Sequence, residues 1–341
     1  MNYRDIIHNN CNQSKVSWWP KYAYHFTDVR NAVNILRTGT LYSRIEADER
    51  KLMVNDNASK QVIDMTHAAA LSNVRFYFRP LTPTQYYNEG YKHRLLRYDE
   101  DSAANIPVPV FFFMDLEKLL NDPCTRFSEK AQSGYGNQLC STPDEFARFQ
   151  FDKIYDSGFI SGDDVQFRHA EILYPDSYPI KNALRFIVCR NEVEKATLLN
   201  SLYEKDKKQY FVYKDRVVVN SKDLFENNGL FVTSCDYRSS TIGIQFSNTR
   251  AKQDYIERRK KANNIKGHLP DVKADIDFTF KKADSTVRKA RCFLLIDYEN
   301  PKTVSIKNLS IEGADMLEVK IYFGTSLMCF MKYDISMRRI I

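Results

Sequence analysis

The sequence predicts an α+β fold in two parts, a β core with helices over residues 1–209 and an all-β sandwich over residues 210–341. Three observations carry this. A strand, capped helix and second strand open the first part; aromatic and β-branched residues alternate with polar ones in several later segments; and beyond residue 210 short alternating strands follow one another between turn residues. A chain of 341 residues is long for one compact domain and comfortable for two, and 43% hydrophobic content suffices for a real core. The 22 Phe and 21 Tyr, against only 11 Gly, argue against disorder and for aromatic-rich strands.

Residues 1–21 form a polar lead-in closed by Trp18, Trp19 and Pro20, two large rings expected to pack on the domain's edge. Tyr22, Tyr24 and Phe26 then alternate with Ala23, His25 and Thr27, which predicts a strand with His25 on the face opposite the aromatics. Thr27 is the expected N-cap of the helix that follows; Val29, Ala32, Val33 and Leu36 fall at helical spacing, and Gly39 supplies the stop. Residues 44–70 are polar and read as a mobile insertion with helical turns. In the next strand Val74, Phe76 and Phe78 take one face while Arg75, Tyr77 and Arg79 take the other. Pro80 and Pro83 end it, and Thr82, Thr84, Gln85 and Tyr86 follow in a turn rich in hydrogen-bonding groups. An Arg-Tyr face suits a solvated surface, and equally a pyrophosphate beside an aromatic base.

Residues 106–120 read as a buried strand entering a helix, and a glycine-punctuated loop, residues 156–168, leads into the stretch 166–189. There Ala170, Ile172 and Tyr174 alternate with Glu171 and Leu173, so Glu171 lies in or beside an apolar layer. Carboxylates are seldom placed there without a partner or a task; the plainer alternative is a residue on the solvent side of an edge strand.

Three blocks in this order, 24–43, 74–86 and 168–180, with a strand running into them from residue 22, resemble the DarT-like toxins, ADP-ribosyltransferases that act on bases of single-stranded nucleic acid. The resemblance covers about residues 22–205 and implies an ADP-ribosyltransferase-like split β core, NAD as co-substrate, a single-stranded DNA or RNA acceptor and an antitoxin partner. By the same resemblance His25 and Thr27 match the early NAD-binding strand, Glu171 matches the catalytic glutamate, and 157–168 matches the loop that displays the target base. Arg75, Tyr77, Arg79 and Tyr86 complete the expected NAD-binding set, while Phe159, Gln166 and Arg168 are the expected base-contacting residues. The chain also departs from members that modify thymidine. Residues 58–70 hold no arginine where those members carry a pair, and Arg79 precedes Pro80 where they place arginine after the proline, so guanine in DNA or a base in RNA stays open as acceptor.

The chemistry asks for such parts. Cleaving the nicotinamide–ribose bond creates a cationic, oxocarbenium-like sugar, which needs a fixed carboxylate beside the ribose. No GxGxxG, phosphate-binding loop or metal-ligand spacing occurs, and the seven cysteines form no CxxC pair, so neither a Rossmann reading nor a metal site is expected. No apolar run is long enough for a membrane span and the start lacks a signal-peptide core, which makes the cytoplasm the expected compartment.

From about residue 210 short alternating strands suggest an antiparallel, immunoglobulin-like sandwich. Within it Arg250, Lys252, Arg258, Arg259, Lys260, Lys261 and Lys266 crowd a probable helix and its exit. They read either as a solvated face or as a phosphate-tracking surface, in which Arg258, Arg259, Lys260 and Lys261 would bind nucleic acid. With a net charge of +7 the chain suits a polyanionic partner. Two function classes follow: a nucleic-acid ADP-ribosyltransferase, or a catalytically idle binding or sensor module on the same fold.

Overall fold

Alternating apolar residues build a first sheet around which the N-terminal part is organised. The structure, a computed structural model, describes residues 1–54, 71–97, 105–131, 138–158, 162–283 and 285–336. In chain order the strands of this part are β1 (Tyr22–Asp28), β2 (Thr40–Tyr42), β3 (Asn73–Tyr77), β4 (Pro109–Asp115), β5 (Arg126–Ser128), β6 (Glu171–Pro175), β7 (Ser177–Pro179), β8 (Leu184–Cys189) and β9 (Val217–Val219). Seven of them form one sheet in the order β5-β6-β3-β1-β4-β8-β9, antiparallel except where β8 meets β9, and β2 pairs separately with β7. The sheet therefore draws its last strand from beyond residue 209. One face carries Phe76, Phe78, Phe112 and Ile172 into the main core with helix Val29–Thr38; the other carries Tyr24, Phe111 and Phe113 into a smaller aromatic cluster.

Local chemistry differs from the expectation at three points. β1 runs one residue further than expected, so Asp28, not Thr27, caps the helix, its Oδ1 accepting from the Arg30 N–H at 3.0 Å. Trp19 is fully buried instead of lying at the edge, because a short turn at Trp19–Lys21 folds it inward against Arg79. Residues 83–88 are a helix and not a turn, with Pro83 at its first position and the Thr82 hydroxyl accepting from the Gln85 N–H.

The C-terminal part holds β10 (Val232–Arg238), β11 (Thr241–Phe246), β12 (Val272–Lys282), β13 (Ser285–Ile296), β14 (Val304–Ile306), β15 (Met316–Phe323) and β16 (Ser326–Asp334). They form two antiparallel sheets, β10-β11-β14 and β13-β12-β15-β16, as the alternation predicts. Both sheets feed one core, to which helix Arg250–Ala262 adds Tyr255 and Ile256. Between the sheets the Cys235 thiol hydrogen-bonds Cys329, and the Tyr333 hydroxyl donates to the Cys235 carbonyl.

The two cores meet along a polar seam. Gly90, at φ +73°, crosses Gly229 so closely that a Cβ on Gly229 would stand 2.6 Å from the Glu89 carbonyl oxygen; only glycine fits there. Beside this crossing Arg190 donates to Glu89 at 3.2 Å and to Glu194, and its guanidinium lies 3.4 Å from the centre of the Phe231 ring. No helix among the described residues is long and apolar enough to cross a membrane.

Candidate active site

β1 and β3 are neighbours through a single position, Tyr24 opposite Tyr77, whereas β1 pairs with β4 along its whole length. Beyond that position the two strands part, and the His25 ring fills the role of a backbone partner: its Nδ1 donates to the Arg75 carbonyl at 3.1 Å. Donation from Nδ1 leaves Nε2 an acceptor in the neutral ring, and burial pushes the His25 pKa below its ordinary value, which favours that neutral form. The parting opens a cleft that encloses about 180 Å³ and continues into open solvent. His25 and Thr27 line it from β1, Asn73 and Arg75 from β3, and Asn31, Asn34, Ile35 and Thr38 from the helix after β1.

Glu171 sits at the start of β6, opposite Tyr77 on β3, which makes Arg75 its diagonal neighbour on the same face. Arg75 Nε donates to Glu171 Oε2 at 2.8 Å and Nη2 donates to Oε1 at 3.0 Å, a two-pronged fork. The carboxylate is 1% exposed and the arginine 27% exposed, so Arg75 stands between Glu171 and the cleft it lines. Burial works against the Arg75 charge, yet Glu171 and Tyr77 outweigh it and hold its pKa above the ordinary value. Each carboxylate oxygen can accept more than one hydrogen bond, so the fork alone does not exhaust Glu171. His169, two residues before it, is driven down to about 4 by burial and then by the Arg75 charge.

Of the residues expected at a cofactor site, the structure gathers His25, Thr27 and Arg75 on the cleft, with Glu171 behind Arg75 and Tyr77 beside it. It does not bring Arg79 or Tyr86 there. β3 ends at Tyr77, so the alternation stops before Arg79; that side chain turns inward, 1% exposed, and donates to the carbonyls of Pro80, Ile154 and Asp156. Its desolvation lowers the guanidinium pKa to about 9. Tyr86 packs on Tyr255, and its hydroxyl bonds Arg258 of the C-terminal part.

The expected nucleic-acid residues are likewise divided. Phe159 lies outside the described residues, as do 55–70 with the arginine-free segment. Gln166 and Arg168 are half-buried on a 3-10 segment, Gly162–His169, where Arg168 donates to the Gly158 carbonyl. In helix Arg250–Ala262 several cations serve the fold: Arg259 donates to the carbonyls of Leu96 and Arg97, Lys260 pairs with Glu299 at 2.5 Å, and buried Lys252 donates to Ser247 and Tyr298. Arg250, Arg258, Lys261 and Lys266 are the exposed members of the run.

Sequence reasoning missed Arg44 and the asparagines of the cleft. The signal was present for the latter: Asn31, Asn34, Ile35 and Thr38 recur at i, i+3, i+4 and i+7, a second stripe beside the apolar one. Asn31 and Asn34 hold the cleft's rim, accepting from the Val54 N–H at 2.8 Å and donating to the Leu52 carbonyl at 2.7 Å. Arg44, which also lines the cleft, belongs to a short helix, Arg44–Glu49, inside the stretch read as an insertion.

A family model described as DarT, ssDNA thymidine ADP-ribosyltransferase, matches residues 24–225. The chain belongs to the DarT family. It is accordingly an NAD-dependent ADP-ribosyltransferase, with NAD as co-substrate, and the resemblance read from the sequence is borne out. Similar solved structures include Thermus sp. 2.9 DarT in complex with ADP-ribosylated ssDNA, at 14% identity over 60% of this chain and 97% of that one, TM-score 0.46. The same Thermus protein in complex with NAD+ matches at 14% identity over 60% and 98%, TM-score 0.43. Thermosipho africanus DarTG in complex with ADP-ribose matches at 10% identity over 64% and 53%, TM-score 0.44. No curated protein sequence matches. In this DarT-family chain the family model ends at residue 225, so β10 to β16 lie outside it.

Proposed function

We propose that the chain transfers ADP-ribose from NAD to a base of single-stranded DNA, releasing nicotinamide, with RNA as the second acceptor to be tested. The observation that carries this reading is the forked Arg75–Glu171 pair set behind a cleft opened by the parting of β1 from β3. NAD lies in that cleft, its pyrophosphate near Arg44 and Arg75 and a ribose or the nicotinamide amide near His25 and Thr27. The bond from ribose C1′ to the nicotinamide nitrogen breaks, nicotinamide leaves with the electron pair, and Glu171 stabilises the cationic sugar while accepting from its 2′-hydroxyl. A base nitrogen then bonds C1′ and sheds its proton, to Glu171 or to water.

Residues 157–168, with Phe159, Gln166 and Arg168, select the base, and exposed Arg250, Arg258, Lys261 and Lys266 follow the phosphates. Arg259 and Lys260 contribute through the helix's position, since their donors are committed. Residues 1–209 supply the catalytic unit, with β9 completing its sheet, and 210–341 the accessory unit. Such an activity in the cytoplasm would damage its own cell, so a toxin restrained by an antitoxin protein is the biological setting we favour.

A second reading, an idle binding module, is favoured by one observation: Arg75 covers both oxygens of a carboxylate that is 1% exposed. Incubation with radiolabelled NAD and oligonucleotides of each base, as DNA and as RNA, separates the two. Label on single-stranded DNA of one base composition is the expected result. Nucleic acid bound without label transfer, for every oligonucleotide, would establish the idle module.

A further inference from the structure

β13 is built unlike an ordinary sheet edge. It runs for 12 residues, against a common strand length of about 5–6. Its inner side pairs with β12 from Ile296 to Ser285, and among the described residues nothing pairs with its outer side. Of its residues only Ile296 is buried, and Val287, Phe293 and Leu295 are 45%, 62% and 63% exposed. The opposite edge of the same sheet shows how such a strand is normally covered: on β16 the Phe330 carbonyl accepts from Asn200, and the Phe330 N–H donates to Thr197, both on helix Glu192–Lys205. Long exposed edges with apolar side chains invite another strand, and proteins blunt them unless they are used.

We propose that β13 is the docking edge for an extended acidic segment of a partner protein, which adds as a further strand to the sheet β13-β12-β15-β16. The charge of the strand names the partner's chemistry. β13 carries Arg288, Lys289 and Arg291 and no acidic residue; Arg291 is matched by Asp277, while Arg288 and Lys289 meet no carboxylate among the described residues. Its first half therefore asks for glutamate or aspartate, and its second half, with Phe293 and Leu295, for apolar side chains. A second copy of the chain fits poorly. In a two-fold antiparallel pairing, residues directly opposite share a face, and the registers with fullest overlap set Lys289 against Arg291 or Arg291 against itself, which is destabilising. A nucleic acid would engage the cations and stack on Phe293, yet leave the strand's row of backbone donors and acceptors unmatched.

The test uses the full chain and two probes, a ten-residue peptide with valine and phenylalanine in its first half and glutamate in its second, which an antiparallel strand sets against Phe293–Leu295 and Arg288–Lys289, and its lysine counterpart. Amide hydrogen exchange across residues 285–296 should slow with the glutamate peptide and not with the lysine peptide. The double variant R288E/K289E, with unchanged circular dichroism, should weaken the glutamate peptide about tenfold, as reversing two cross-strand charge pairs implies, and should gain affinity for the lysine peptide. No protection by the glutamate peptide at millimolar concentration would overturn the proposal. So would protection by oligodeoxythymidine alone, which would make β13 a nucleic-acid platform, or protection that rises with protein concentration without peptide, which would make it a self-association edge. The readout is independent of ADP-ribose transfer, so neither reading of the active site affects the result.

Discussion

Two buried arginine–glutamate groups of this chain show how one chemistry serves opposite ends. Arg75 and Glu171 sit at a parting of strands, with the arginine lining a cleft that encloses about 180 Å³ and opens to solvent. Arg190, Glu89 and Glu194 sit in the seam between the cores, sealed at 2% exposure or less, with the guanidinium against Phe231 and further donors reaching Glu89 from Gln85 and the amides of Glu226 and Asn227. Burial of charge is common to both. What differs is whether space is left beside the pair for another molecule, and only the first has it. The seam group instead shows the strain of sealing: burial, despite Arg190, drives Glu194 up to about 7, and it drives nearby Lys92 down to about 7.

The sharpest way to break this contrast is to remove the shared arginine of the seam. Arg190→Ala strands two buried carboxylates and should cost about 3–5 kcal/mol of stability, read by urea unfolding. A loss below about 1 kcal/mol would show that the seam is wet or loosely packed. At the cleft the effect should appear in rate. Glu171→Gln keeps shape and removes charge, so transfer to nucleic acid should fall by about 10²–10³-fold while the melting temperature holds. Parental activity in this variant would move the catalytic role elsewhere.

Arg79 tests whether adjacency to the cleft implies membership. Its donors hold the carbonyls of Pro80, Ile154 and Asp156, so Arg79→Ala should cost about 3 kcal/mol in stability, with the KM for NAD unchanged in the folded fraction. A raised KM at unchanged stability would place it in the cofactor site after all. The smallest effect is expected at His169, whose pKa falls from 6.5 to about 4 through burial and the neighbouring Arg75. As pH drops across that window the unfolded chain takes up the proton first, so stability is complete above 6.5 and is lost toward 4. His169→Asn should flatten the dependence of unfolding free energy on pH in that range; an unchanged slope would show the ring to be solvated.

Much of the fold and part of the site are legible in the order of residues. Alternation places Arg75 and Tyr77 on one face of β3 and His25 opposite the aromatics of β1, and it marks Glu171 as a carboxylate in an apolar layer. The same rule fails at Arg79, because alternation ends where the strand ends and the chain then follows its turn. It also fails along helix Arg250–Ala262: a run of cations says nothing of which ones find acceptors, and the acceptors of Arg259 are carbonyls more than 160 residues away in sequence, Leu96 at 163 and Arg97 at 162.

By itself the sequence determined the periodicities, the helix stop at Gly39, the mix of helices and sheets with antiparallel strands towards the C-terminus, and the residue types available for catalysis. Those are local properties, set by side-chain spacing and backbone preference over a few residues. Tertiary structure alone decided the parting of β1 from β3, the fork between Arg75 and Glu171 across 96 residues, and the uncovered edge at β13. The reason is physical: each depends on which distant group supplies a partner for a charge, a ring or a row of backbone amides, and the chain meets that partner only once it has folded.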